Sequence, residues 1–323
     1  MNRRFLSCVL LALASPFAFA QSAAPSDYPR QPIRLIVPFT VGSTSDITTR
    51  AVAQQISGPL GQPVIVENRP GANGGIGMQV VARAKPDGYT LVVGSVSSTV
   101  VPSVIQKNVP FDLLRDFTPV ATIANTALVL TVPVDSPIHD VPQLVDTAKK
   151  APNTLSYGNS AGLYQLAMES LKQQAGIDLL AVPYKGPAEA MNDLLAGRLT
   201  VNPDSLGSAT HMIDAGRVRA LAVMSRQRQS VLPEVPTLIE LGYKDFEFNG
   251  WIGLLAPAGT PEPIIERLHR EITQAVQSKE VRDLYRKLML EPIALTPKQY
   301  RDAMASDLAR YEQIARAAHI EKQ

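Results

Sequence analysis

The chain has 323 residues, with 31 Lys plus Arg against 29 Asp plus Glu, one cysteine and one tryptophan. Basic residues this few and this scattered exclude the basic face a nucleic-acid binder needs, and a lone cysteine excludes a disulfide framework and a cysteine-ligated zinc site. The length allows two domains of about 150 residues each, enough for a packed core without covalent staples.

At the start of the chain, Arg3 and Arg4 precede the apolar run Phe5 to Phe19, which closes on Ala18-Phe19-Ala20 before Gln21. This is the pattern of a secretory signal peptide over residues 1–20, cleaved after Ala20, and it places the protein in the periplasm. The run is too short and wrongly flanked to anchor in a bilayer, and no later stretch is long and apolar enough to span one. Cleavage removes Cys8 together with Arg3 and Arg4, so the remaining chain has no thiol and equal numbers of basic and acidic residues. Cys8 also precedes most of the apolar run, whereas a lipid-modified cysteine would follow it.

Beyond the leader, short β-branched runs alternate with longer amphipathic ones, the pattern of βα units around a mostly parallel sheet. The runs IRLIV (33–37), PVIVEN (63–68), TLVVG (90–94), LVLTV (128–132), TLSYG (154–158), LLAVPY (179–184), LTVNP (199–203) and ALAVMS (220–225) read as strands. Between them ITTRAVAQQI, GMQVVARA, PQLVDTAKKA, YQLAMESLKQQAG, AEAMNDLLAG and SATHMIDAG have helical spacing, several closing on a glycine suited to a left-handed C-cap. The tail, from PEPIIERLHREITQAVQ to PKQYRDAMASDLARYEQIARAA, reads as two or three helices. No tandem repeat or low-complexity linker interrupts this order. Two extended apolar runs closing on prolines, ALVLTVPVDSP (127–137) and WIGLLAPAGTP (251–261), are candidate crossings between two lobes.

The loop VPFTVGSTSD (37–46) links the first strand to the first helix. Ser43 followed three places later by Asp46 fits a capping box, so Asp46 can simply cap its own helix. The same geometry has a functional reading: free backbone N–H groups and the dipole at a helix start favour a bound anion, and Gly42 lets the backbone come close. Similar small, polar loops follow other strands: GSVSST with Ser97, GNSAG with Gly158, Asn159, Ser160 and Ala161, KGPAE, and PDSLGS with Asp204. Ligands of open α/β sheets sit outside the carboxyl ends of the strands, so these loops point together to a small polar or anionic ligand. NRPGANGGIG (68–77) is glycine-rich but lacks both the Lys-Ser/Thr ending of a phosphate loop and the G-x-G-x-x-G spacing. It reads as a tight connection in a close backbone approach.

Catalytic signals are weak. His139, His211, His269 and His319 lie far apart and read as exposed or structural. No G-x-S-x-G elbow follows the leader, and no base is evident for a hydrolase built on Ser43 or Ser160. Asp46 and Asp204 fit capping and a turn or ligand hydrogen bond better than an acid/base pair. Trp251 reads as core or hinge packing.

VPFTVGSTSD, VENRPGANGGIGMQVVARAKPDGYTLVVGS, VPYKGPAEAMNDLLAGRL, DAGRVRALAVMSRQRQSVLPEVPTLIELGY and GLLAPAGTPEPIIERLHREI resemble, in order and spacing, the Bug family of periplasmic solute receptors. These are also called tripartite tricarboxylate transporter substrate-binding proteins. The resemblance spans nearly the whole chain after the leader and implies an α/β periplasmic binding protein of the Venus-flytrap type. Its two lobes, joined by crossing strands, are expected over 27–128 plus 251–323 and over 129–250. It further implies capture of a small carboxylate without chemistry or cofactor, and delivery to a membrane permease of the tripartite tricarboxylate type by a monomer. The ligand contacts that follow are the loop containing Phe39, Thr40, Gly42, Ser43, Thr44 and Asp46, and opposite it Gly158, Asn159, Ser160, Ala161 and Asp204. Ser97 joins them from the strand-end reading above.

Two departures from the family pattern bear on specificity. A Gly-Gly pair is replaced by Gly42-Ser43, which adds a hydroxyl. The second-lobe loop is two residues shorter, in YGNSAGLYQLA, with Gln165 near the position of a family histidine. Leu163 and Tyr164 entering that space would suit a ligand with an apolar or ring portion. A receptor feeding a sensor protein, and a secreted serine hydrolase, are the rival functions.

Overall fold

The computed structural model describes residues 28–322, so the expected signal peptide and Cys8 lie outside the described residues. The first half contains β1 (Ile33–Val37), α1 (Thr44–Leu60), β2 (Val64–Asn68), α2 (Gly75–Ala82), β3 (Thr90–Ser95), α3 (Val100–Ile105), β4 (Phe117–Asn125), β5 (Leu128–Pro133), α4 (Val141–Lys150), β6 (Ser156–Asn159) and α5 (Gly162–Ala175). There follow β7 (Leu180–Pro183), α6 (Pro187–Leu195), β8 (Asn202–Ser205), α7 (Leu206–Asp214), β9 (Val218–Val223), β10 (Ile252–Pro257), α8 (Glu262–Val276), α9 (Lys279–Lys287), β11 (Glu291–Pro292) and α10 (Pro297–Ala317). Helix ends behave as their residues dictate. Asp140, Ser205, Ser278 and Thr296 each accept an N–H of their own first turn, and Gly61 and Gly176 close α1 and α5 in the left-handed conformation.

One lobe is built on a six-stranded sheet of order β11-β4-β10-β3-β1-β2. In the other, β5 lies between β8 and β9, β6 pairs with β7, and a parallel bridge from Tyr157 to Val201 ties β6 to the start of β8. Within each lobe most strands run one way. β1 is parallel to β2 and β3, and β6 to β7, whereas β10 is antiparallel to β3 and β4, and β5 to β8 and β9. Apart from the two-residue edge strand β11, which is antiparallel to β4, the reversed strands are those by which the chain passes from one lobe to the other. A strand of a βα unit ends at the crevice, while a strand arriving from the opposite lobe starts there, so β5 and β10 must run against their neighbours.

The two passages touch. Ala127 bridges Asn249, Thr126 N–H donates to Gly250 O at 3.3 Å, and Gly250 N–H donates to Thr126 O at 2.8 Å. Trp251 lies buried beside them, its Nε1 donating to Asp307 Oδ2 at 2.9 Å and its ring edge-on to Tyr300 at 5.0 Å. A Cβ on Gly253 would lie 2.7 Å from the Tyr300 ring, so α10 clasps the hinge as closely as a bare backbone allows. Burial pushes the Asp307 carboxyl above its usual range, against the opposing pull of Arg310 and the Trp251 hydrogen bond.

Apolar burial drives the assembly. One cluster fills the space between the large sheet and α1, α8 and α9. A second occupies that sheet's other face, under α2, α3 and α10, and continues into the second lobe through α4 and α5. A third lies under α6 and α7.

The structure corrects several sequence expectations. Phe117–Asn125 is a strand that the periodicity did not single out, because it is buried on both faces and shows no alternation. The strand expected at 199–203 begins at Asn202 instead, since Thr200 and Val201 donate to Ser156 O on the β6 side. The tail resolves into three helices, α8 to α10. The glycine-rich connection is indeed a close approach: a Cβ on Gly74 would meet Ser98 Cβ at 2.7 Å, and one on Gly77 would meet Pro38 Cβ at 2.8 Å.

Candidate functional site

A cleft of about 420 Å³ lies where the strand ends of the two lobes face each other. Its first wall is the β1–α1 loop. Ser43 is the N-cap of α1, in extended backbone conformation, and its hydroxyl accepts the Asp46 N–H. The Asp46 carboxylate does not complete the capping box on Ser43. It takes the Gly42 N–H, Arg50 Nε and Asn68 Nδ2, each at 2.9 Å. Burial by itself would raise the Asp46 pKa, but the bonds from Arg50, Gly42 and Asn68 outweigh it and hold the carboxyl below its usual range. Asp46 is buried and fully committed to shaping the loop. Meanwhile the N–H groups of Thr44 and Ser45, the first orphan donors of the helix, have no acceptor among the described residues, and both residues line the cleft.

The β3–α3 loop forms the floor. Ser95 and Ser98 bond to one another and Thr99 Oγ1 donates to Ser95 O at 2.6 Å. This knot holds Ser97, the exposed residue between them, at the cleft.

The opposite wall comes from α5 and α7. Tyr164, buried in the first turn of α5, accepts the Ser205 N–H on its hydroxyl at 3.1 Å and donates that hydroxyl to Asp204 Oδ1 at 3.4 Å. The Ser205 N–H also bonds Asp204 Oδ1 at 2.7 Å. Burial pushes the Asp204 carboxyl up to about 6, the bonds from Ser205, Tyr164 and Ser208 offsetting only part of that cost. Burial and the charge of Asp204 in turn raise the Tyr164 phenol. Ser205 caps α7 by accepting the Ser208 N–H, and the Gly207 N–H has no acceptor among the described residues.

Of the residues expected from sequence, Phe39, Ser43, Thr44 and Ser97 line this cleft. Thr40 and Gly42 are exposed residues of the same loop but are not in the lining, with Gly42 at φ +83° in the left-handed region. Asp46 stands behind the loop and Asp204 behind Tyr164 and Ser205, so neither is in the lining. Gly158, Asn159, Ser160 and Ala161 are not in it either. Gly158 is packed against Asn202, Ala190 and Leu199, while Ser160 Oγ and both polar atoms of the Asn202 side chain are buried without partners. The reason lies one residue on: a Cβ at Gly162 would meet Val101 and Ile105 at 2.6 and 2.7 Å, so the first turn of α5 rides on α3 and presents Leu163 and Tyr164 in place of the loop. Gln165 faces away, toward Glu169 and Lys172.

Sequence reasoning missed part of the lining: Thr126, Leu128, Gly250 and Ile252 at the hinge, His211 on α7, and Lys287, Leu288 and Leu290 at and after the end of α9. The hinge positions were legible as crossings, but nothing in RKLMLEP distinguishes it from an ordinary helix end. Lys287 and His211 are exposed basic groups at the cleft. Among the described residues no cluster of three or more His, Cys, Asp or Glu could hold a metal ion, and no helix is long and apolar enough to cross a membrane.

The model of the tripartite tricarboxylate transporter family receptor matches residues 48–320. The chain belongs to this receptor family. The receptor is 32% identical over 319 residues to protein BugT of Bordetella pertussis, covering 98% of each chain. It superposes on an R. palustris protein solved with adipate with a TM-score of 0.77 at 33% identity, covering 91% of this chain and 99% of that one. MatC of Rhodopseudomonas palustris, solved with bound malate, gives 0.72 at 27% identity over 89% and 99%. The likeness to the Bug family and the two-lobed periplasmic binding protein fold therefore both hold, and the receptor is of a periplasmic, solute-binding kind.

Proposed function

We propose that this receptor captures a small carboxylate in the cleft between its lobes and hands it to a tripartite permease, performing no chemistry. One observation carries the reading: Thr44 and Ser45 on one lobe and Gly207 at the start of α7 on the other all line the cleft, and none of their N–H groups has an acceptor among the described residues. Helix starts of this kind favour anions. Between them stand Phe39, Val96, Leu163, Tyr164, Leu288 and Leu290, which accommodate an apolar or ring-bearing middle of the ligand. The adipate and malate of the two solved relatives fit that chemical class.

In this reading Phe39, Ser43, Thr44 and Ser97 contact the solute, Thr40, Gly42 and Asp46 shape the loop that holds it, and Asp204 acts through Tyr164 and Ser205. Gly158 to Ala161 set the start of α5. The lobes divide as 27–128 with 251–323 and 129–250, and the protein works as a monomer after loss of residues 1–20. Ser43 Oγ accepts the Asp46 N–H of its own helix and Ser160 Oγ is buried with no partner among the described residues, which supports a receptor over a serine hydrolase.

Differential scanning fluorimetry against mono-, di- and tricarboxylates, adipate and malate included, tests the proposal. A ligand that binds only the folded state raises the melting temperature by mass action. A blank across that panel and across amino acids overturns it.

A further inference from the structure

The turn Leu288–Leu290, between α9 and β11, belongs to the lobe of the large sheet but touches the other. Leu288 and Leu290 pack with the first-lobe cluster. Met289 packs instead against the cluster under α6 and α7, whose other members among the described residues all fall between Val129 and Val235. Its backbone is held at φ +53°, in the left-handed region that a non-glycine residue seldom adopts. The carbonyl before it presses on α7: a Cβ at Gly207 would lie 2.8 Å from Leu288 O, so glycine is what lets the lobes come this close. Leu288, Leu290 and Gly207 all line the cleft. One strained turn therefore forms a cleft wall and an interlobe contact together.

We propose that Leu288–Leu290 is a closure latch, with Met289 as the positioning residue whose docking into the second lobe holds the solute in and whose release lets it out. The inference deepens, and rests on, the reading of the cleft as the solute site. A methionine suits the task because its unbranched, polarizable side chain fills an irregular apolar gap without demanding one rotamer. The latch contact exists only where the lobes meet, so it favours the closed state, and a solute that needs that state gains the same free energy. The effect falls on the rate of release, as most affinity differences between related complexes do.

The hinge tryptophan gives a readout. In stopped-flow fluorescence of Trp251 with adipate as the probe, Met289→Ala and Met289→Gly each speed release roughly tenfold, equivalent to about 1.4 kcal/mol, while association stays within about twofold. The glycine variant separates the latch from a merely structural turn. It relieves the positive φ that the alanine variant keeps, so it melts above Met289→Ala while lacking the same side chain; release unchanged from the native rate in the glycine variant would mark a merely structural turn, and that result overturns the proposal. Small-angle scattering of the native chain, Met289→Ala and Gly207→Ala, with and without adipate, is the second arm. Both variants are expected to stay larger in radius of gyration than the most compact native state, and equal radii in every condition also overturn the latch. Absence of any carboxylate-induced melting shift in the native chain counts against the solute reading instead.

Discussion

Asp46 and Asp204 each stand at the start of a helix beside the cleft, and their surroundings treat them in opposite ways. Three donors hold Asp46 ionised, so its contribution to stability is present above the ordinary carboxylate pKa and is lost as pH falls through the lowered one. Asp46→Ala leaves those donors unpaired and is expected to cost about 1–3 kcal/mol, with weaker carboxylate binding because the loop is no longer held; denaturant unfolding and calorimetry check both. Asp204, pushed up to about 6 by burial, has the reverse linkage. Its neutral form suits the fold, so that stability is complete below the unfolded value and is lost as pH rises through about 6, a difference of about 3 kcal/mol. Asp204→Asn should therefore gain stability over the native chain at pH 8 and lose that advantage near pH 4, in urea titrations of both. A bound anion near Tyr164 and Ser205 disfavours the Asp204 carboxylate further, so carboxylate affinity should fall as pH rises through the same range. An affinity flat between pH 5 and pH 8 would detach Asp204 from the site.

At the scale of elements, the site depends on where helices begin. The cap at Ser43 leaves the N–H groups of Thr44 and Ser45, and the start of α7 leaves that of Gly207, without an acceptor among the described residues; the first helix start was legible from Ser/Thr/Asp residues following a β-branched run. The start of α5 was not. GNSAG has the composition of a ligand loop, but the contact of Gly162 with Val101 and Ile105 turns its polar residues away and brings Leu163 and Tyr164 forward. No local pattern encodes that, because α3 and α5 lie more than fifty residues apart, on opposite sides of the first crossing of the chain. Gly162→Ala is expected to cost about 1–3 kcal/mol through overpacking and to lower carboxylate affinity by shifting Tyr164. Thermal melts and calorimetry on the variant test this, and an unaltered affinity would show that the first turn of α5 does not set the wall.

On the scale of the whole molecule, the hinge couples the halves. Thr126 and Gly250 pair across the two passages, and Trp251, clasped by Tyr300 and Asp307, lies beside them. Closure on a solute should therefore change the emission of this single tryptophan in proportion to the melting shift; a melting shift with unchanged emission would place the solute away from the hinge. What the amino-acid sequence determined by itself was local: β-branched runs, amphipathic helices, capping residues, the paired apolar crossings, and long motifs sufficient to identify the family. Each depends on residues within a few positions of one another, where periodicity and capping chemistry act. Tertiary structure alone decided which strand-end residues share the cleft, that Asp46 serves its loop while Asp204 loses solvent, and that Lys287–Leu290 completes the wall. Those outcomes follow from close packing between segments distant in the chain, where a missing Cβ at Gly162 or Gly207 sets how near two segments come, and no local pattern carries that information.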